Sequence, residues 1–318
     1  MLSFFTDPYP NELLYSAISR YHYFIGNINF KDTLYEVYGK KKHSSNLYFG
    51  AYINDLVNSL GGMYNEDDLI FNHTILPFYK PFLSEHEIAD IINKMKTIGP
   101  NFGYLFTSCL LKNKRLYYCP QCVQEDIQRY GEAYFHREHH LNGIVICPRH
   151  KLVLRAYDDR RIGGETLEFI RLNYKEIGLQ EENKDNLLLS DKVYNRMCEI
   201  SELSYELFKT DISVLDKHNI RKAYKNVLLE EGFASQTGRI KIKQLKKEMI
   251  NYYGETLLEG LNCNIELEKK DWMYNIFSNN DCYINPLKHI LVINFLGKNI
   301  SDMIFYVDNI YKPMGEGP

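Results

Sequence analysis

Tyr118-Cys119-Pro120-Gln121-Cys122 and, after a 24-residue insert, Cys147-Pro148-Arg149-His150 anchor the stretch LYYCPQCVQEDIQRYGEAYFHREHHLNGIVICPRHKLVL, Leu116 to Leu154. Each Cys-x-x-(Cys/His) pair can chelate from one tight turn, and two such turns close a tetrahedral S₃N shell around a single Zn²⁺. Pro120 and Pro148 follow the first cysteine of each pair and restrict φ in the ligand-bearing turns. Three thiolates and an imidazole leave no open coordination position. The spacing therefore predicts one structural zinc held by Cys119, Cys122, Cys147 and His150, a staple for the fold and not a catalyst.

Within the insert, Val123 to Tyr130 reads as a short helix, followed by His136-Arg137-Glu138-His139-His140. A metalloprotease helix needs His-Glu-x-x-His, with the glutamate beside the first histidine. His136 and His140 have that separation, but Arg137 occupies the glutamate position and Glu138 falls on another face. A zinc hydrolase built on His136 and His140 is thus a weak alternative, and Arg137, His139 and His140 read as surface or packing residues near the metal turns. The chain has no Gly-x-Ser-x-Gly and no phosphate-loop lysine motif.

A chain of 318 residues is long for one domain, and its 45% apolar content is enough to build real cores. The 26 tyrosines suit seams or partner surfaces where the ring packs and the hydroxyl stays wet. Outside the zinc set, Cys109, Cys198, Cys263 and Cys282 are scattered with no disulfide framework, which implies a reducing, cytoplasmic setting. The N-terminus MLSFFTDPYP lacks a basic n-region and a long apolar h-region, and the run Ile290 to Leu296 is too short to span a bilayer, so no membrane partner is expected. A net charge of −3 excludes a globally basic nucleic-acid coat, but not a local basic face.

Helical periodicity dominates elsewhere. Residues 1–115 read as a helical domain: ELLYSAISRYHYF with Asn11 as cap, KDTLYEVY stopped by Gly39, a run from Leu47 to Leu60, EDDLIFNHTIL capped by Asn65, and EHEIADIINKMKTIG capped by Ser84. The zinc module occupies 116–155. Residues 156–212 read as a spacer and packing helix, with Leu189, Val193, Met197, Ile200 and Leu203 inward. The fourth part, 213–318, is expected to be helical and to contain a helix-turn-helix. Lys40-Lys41-Lys42-His43, directly after a helix stop, offers Lys41 and Lys42 as accessory phosphate contacts.

In the fourth part Asn219 is expected to cap IRKAYKNVLLEEG; FASQTGR then turns into IKIKQLKKEMINYYG. Ile242, Leu245, Met249 and Tyr252 form its apolar stripe, and Arg239, Lys243, Lys246 and Lys247 share the opposite face. A supporting helix, a Gly-containing turn and a second helix with a basic side fit a helix-turn-helix in the major groove. The bland alternative is an amphipathic hairpin with solvated lysines. Gln236, Arg239 and Gln244 are the candidates for reading bases, and Lys241, Lys243, Lys246 and Lys247 for phosphate affinity. Trp272 and Phe277 are expected to anchor the core of this half, and Ser301 to cap the last helix.

Several phrases together resemble the TniQ/TnsD family of target-site selectors from Tn7-like transposons: Pro8-Tyr9-Pro10-Asn11-Glu12-Leu13-Leu14-Tyr15-Ser16 with Arg20, Tyr118 to Cys122, Arg129-Tyr130-Gly131-Glu132-Ala133-Tyr134, and Cys147 to His150. Leu34-Tyr35-Glu36-Val37-Tyr38-Gly39 is similar to the TnsD branch in particular. The resemblance runs over essentially the whole chain. It implies a mainly α, multi-subdomain protein, not an enzyme, that binds double-stranded DNA at a chromosomal attachment site on the bacterial nucleoid. It further implies recruitment of the AAA+ regulator TnsC and, through it, the other transposase subunits. In the resembled family a phrase like Gly315-Glu316-Gly317-Pro318 runs on into further cysteine-bearing sequence, so truncation is expected. A TniQ-type adaptor docked on an RNA-guided CRISPR complex is the nearest alternative reading, and a zinc-stapled scaffold without DNA contact a further one.

Overall fold

Turn chemistry punctuates the chain where the sequence places it. Gly26 and Gly39 adopt left-handed conformations (φ 74° and 65°) and close the first two helices. Asn65 accepts a hydrogen bond from the Asp67 N–H and starts another. The computed structural model describes residues 2–39, 47–97, 115–157, 168–174, 190–210, 215–278 and 283–308. Among these the chain is mainly α, with one two-stranded sheet. Lys41 and Lys42 lie outside the described residues.

Two compact units form, one from residues 1–77 and 86–188, the other from 78–85 and 189–318. This differs from the four-part reading, because the zinc segment packs with the first helices and the long helix after residue 190 belongs to the second unit.

The first unit contains α1 (Leu14–Ile25), α2 (Phe30–Tyr38), α3 (Ile53–Ser59), α4 (Glu66–His73), the first half of α5 (Leu76–Tyr79), all but the first residue of α6 (Glu85–Thr97), and α7 (Pro120–Tyr130). Leu13, Leu14, Ala17, Ile18 and Tyr21 are buried at the helical spacing expected of α1. Asn11 does not cap α1. It adopts a left-handed conformation (φ 59°), and its Oδ1 accepts from Arg137 Nε and Nη2. The chain enters α1 extended instead: Glu12 forms an antiparallel bridge to His136, with Leu13 N–H donating to Phe135 O and Arg137 N–H to Asn11 O. That bridge joins the zinc segment to the first helix. β1 (Leu116–Tyr118) and β2 (Arg155–Tyr157) pair antiparallel and close the segment at its base.

The second unit holds α8 (Asp191–Lys209), α9 (Lys217–Glu230), α10 (Ile242–Tyr253), α11 (Glu255–Gly260), α12 (Trp272–Phe277), α13 (Pro286–Phe295) and α14 (Ile300–Asp308). α9 packs mainly on α14, α8 on α13, and α10 on α11 and α12. Several caps sit a few residues from their expected places. Asp216, not Asn219, caps α9 by accepting from the His218 and Asn219 N–H groups. Asn299, not Ser301, caps α14 in a reciprocal box with Asp302. Trp272 is buried and its indole N–H donates to Asn264 O, while Phe277 is half-buried with its ring edge-on to Tyr224.

Candidate metal centre and nucleic-acid face

Both halves of the cysteine motif are presented by tight local structure. Cys119 is the N-cap residue of α7 with Pro120 in the first turn, which puts Cys122 one helical turn on. Cys147 and His150 stand on a hairpin closed by the Ile146–Val153 bridge. In it Cys147 N–H donates to Leu152 O, and Lys151 takes a left-handed φ of 58°. The four donor atoms converge within 4.8 Å of one another, and all three cysteines are buried. Among the described residues no other group of donors meets that description.

The spacing fits a metal ion. A tetrahedron with metal–sulfur bonds of about 2.3 Å and metal–nitrogen bonds of about 2.05 Å has S···S edges of about 3.8 Å and S···N edges of about 3.6 Å. Cys122 and Cys147 Sγ are 3.8 Å apart. His150 Nδ1 is 3.6, 3.3 and 3.7 Å from the sulfurs of Cys119, Cys122 and Cys147. Three such sulfurs cannot all ionise unaided. Hydrogen bonds from its neighbours push Cys147 far down, while Cys119 is pushed up to about 11 and Cys122 further. A bound dication removes that conflict, because it holds every thiol as thiolate. His150 Nε2 is 2.8 Å from Glu125 Oε1, and Arg149 Nη2 donates to the other Glu125 oxygen, so a carboxylate orients the imidazole from behind.

His136 and His140 do not share a metal. His140 Nδ1 is 2.8 Å from His136 O, and its Nε2 accepts from Tyr117 N–H at 3.0 Å, which uses both nitrogens. His136 lies between two carboxylates, with Nε2 2.9 Å from Asp126 and Nδ1 3.4 Å from Glu138. Burial opposes its charge, but the hydrogen bonds to Asp126 and Glu138 prevail and push it up to about 10. Burial likewise opposes ionisation of Glu138, and the hydrogen bond from His136 overcomes it, bringing the carboxyl down to about 2. The stretch read as surface or packing is therefore a buried polar core. Arg137 is part of it, donating to Thr74 O and Phe71 O.

Beside it lies a second buried ion pair. Arg20 donates Nε and Nη2 to the two Glu12 oxygens at 2.9 and 2.8 Å, Nη1 to Glu132 and Nη2 to Asp7 O. Its guanidinium stacks on the Tyr9 ring at 4.0 Å.

In the second unit the basic face is smaller than the sequence implies. Gln236, Arg239, Lys241, Lys243, Gln244 and Lys247 are exposed, but Lys246 is 2% exposed. Its Nζ donates to Glu266 O and Lys269 O, both at 2.7 Å, and lies 3.0 Å from Asp271 Oδ1. Lys246 therefore fastens the 263–271 loop and is removed from the phosphate set. The buried stripe of α10 is Leu245, Lys246, Met249 and Tyr253, with Tyr252 half-buried beside it. Lys243 pairs with Glu268 at 2.8 Å, and Lys241 Nζ donates to Gly232 O.

The link 231–241 closes as a small hairpin through the Ala234–Ile240 bridge, longer than the three- or four-residue turn of a helix-turn-helix. That geometry occurs further on, where α13 and α14 meet at 93° across residues 296–299, with Gly297 at φ 63°. The Gly between two apolar runs was its sequence signal. α14 carries no lysine or arginine, and Lys298 in the turn pairs with Glu231 at 3.1 Å. Among the described residues no single helix is long and apolar enough to cross a membrane.

A family model described as TniQ matches residues 3–154, and one described as Tn7-like transposition protein D matches residues 200–318. Transposon Tn7 transposition protein TnsD of Escherichia coli is 26% identical over 305 residues, covering 91% of this chain and 56% of that protein. The chain thus spans about half the length of this curated relative.

Proposed function

The chain belongs to the TniQ/TnsD family, and from that premise we propose that it selects the target site for transposition by binding double-stranded DNA at a chromosomal attachment site. The TnsD match over residues 200–318 carries this reading, since it covers the half that bears the exposed Arg239, Lys243 and Lys247. Lys241, Lys243 and Lys247 neutralise phosphates, and Gln236, Arg239 and Gln244 read base edges. The bound chain recruits the AAA+ regulator TnsC, and through it the other transposase subunits, at a cytoplasmic, nucleoid-associated site. Its contribution is binding and positioning, not bond cleavage. In the first unit one Zn²⁺ held by Cys119, Cys122, Cys147 and His150 supplies a closed structural cross-link, and the S₃N donor set and edge lengths support zinc. The same TnsD match favours a DNA-reading selector over a TniQ-type adaptor on an RNA-guided complex.

The test is binding of labelled attachment-site DNA against scrambled DNA across a salt series. Affinity should fall steeply with salt, and charge reversal at Lys243 and Lys247 should lower the slope by about one for each phosphate no longer neutralised. Absence of binding at low salt would remove the DNA reading for these residues.

A further inference from the structure

His139 is the one histidine of the 136–140 stretch whose ring reaches the metal cluster. It is 1% exposed, on the 3-10 turn Arg137–His140. Its Nε2 stands 3.7 Å from Cys122 Sγ and 3.7 Å from Cys147 Sγ, close to a ligand–ligand edge of the tetrahedron. Its Nδ1 is buried without a hydrogen-bond partner among the described residues. A structural imidazole would engage both nitrogens, as His140 does. The ring is therefore aimed at one edge of the site; the His136 ring packs beside it at 5.1 Å, but among the described residues no hydrogen bond fixes its far nitrogen.

We infer that His139 is a reserve ligand for the Cys122–Cys147 edge, a fifth donor in a four-coordinate site; this rests on the metal reading above. With all three cysteines in place, Nε2–H donates to the two thiolates and lowers their charge density. When either sulfur is lost to substitution or transient dissociation, Nε2 coordinates in its place. The proton on Nε2 then passes to Nδ1, which has the lone pair to receive it. The donor set passes from S₃N to S₂N₂, which also suits zinc. The asymmetry is specific: the ring of His139 touches Cys122 and Cys147, not Cys119.

The experiment compares zinc content and the visible spectrum of the cobalt-substituted chain in Cys119→Ala, Cys122→Ala and Cys147→Ala, each with and without His139→Phe. Cys122→Ala and Cys147→Ala should keep about one metal per chain with a four-coordinate spectrum, and lose it when His139 is also replaced. Cys119→Ala should lose metal in either background. Equal behaviour of the three cysteine variants, or retention that survives His139→Phe, overturns the assignment. Should the cysteine variants not fold, the chain with its cysteines intact answers the same question. His139→Phe alone should speed zinc transfer to a chelator about tenfold, because a transiently detached sulfur is no longer covered; an unchanged rate overturns the inference. A wild-type chain that takes up no zinc would instead sink the metal reading itself, a separate outcome.

Discussion

Replacing Arg20 by methionine keeps most of the apolar stem and deletes the guanidinium that neutralises Glu12. Arg20 is 4% exposed and Glu12 fully buried. After the change Glu12 retains hydrogen bonds from Tyr9 N–H and Ser16 Oγ but has no counter-charge. Removing one partner of a buried pair costs about 3–5 kcal/mol, the penalty of an uncompensated charge. The sign with pH follows from Glu12. Burial already raises its carboxyl above the ordinary range despite the hydrogen bonds and charge of Arg20. Without Arg20 it rises further, so the unfolded chain releases its proton near pH 4.5 while the folded chain still holds it. The destabilisation in Arg20→Met should be smallest near pH 4.5 and grow as pH rises toward 8. The single tryptophan, Trp272, lies in the second unit, so unfolding of the first should be followed by zinc release in urea. The double variant Arg20→Met/Glu12→Leu should recover most of the stability, since an apolar pair replaces an ionic one. A destabilisation under about 1 kcal/mol, or one flat between pH 5 and 8, would refute the account of this pair.

His136 is held charged up to about pH 10, so its contribution is complete below pH 6.5 and disappears between pH 6.5 and 10. The urea midpoint of the first unit should decline over that window, and His136→Gln should abolish the decline. Lys246→Ala should cost about 3 kcal/mol by unpairing Asp271, read from Trp272 fluorescence, while the salt slope of DNA binding stays as in wild type. Glu125→Gln should weaken zinc affinity about tenfold in chelator competition, because His150 loses the carboxylate behind it.

What is legible in the chain is local. The four metal donors lie in two short turns, so spacing suffices to identify them. Gly39 and Asn65 end and begin helices where they are expected to, since caps act within one turn. Lys246 escapes a reading by periodicity because its burial depends on the 263–271 loop folding back over α10, about 20 residues downstream. His136 and His139 escape it for a related reason. Their surroundings are assembled by the Glu12–His136 bridge and by the sheet at the base of the segment, pairings between distant residues. Asn11 is the instructive failure: it has the chemistry of a cap, but its side chain is taken by Arg137 from more than a hundred positions away.

Residues 78–85 belong to the second unit although residues on both sides of them belong to the first. Phe82, 2% exposed, stacks on His289 at 4.3 Å, and that partner is encoded about 200 residues later. At roughly 5–20 residues per second, synthesis takes on the order of 10–40 s to supply it. Throughout that interval Phe78, Tyr79 and Phe82 are without the later residues of their own unit. A cut between the two halves, however carefully placed after residue 188, strands the same three rings on the wrong fragment.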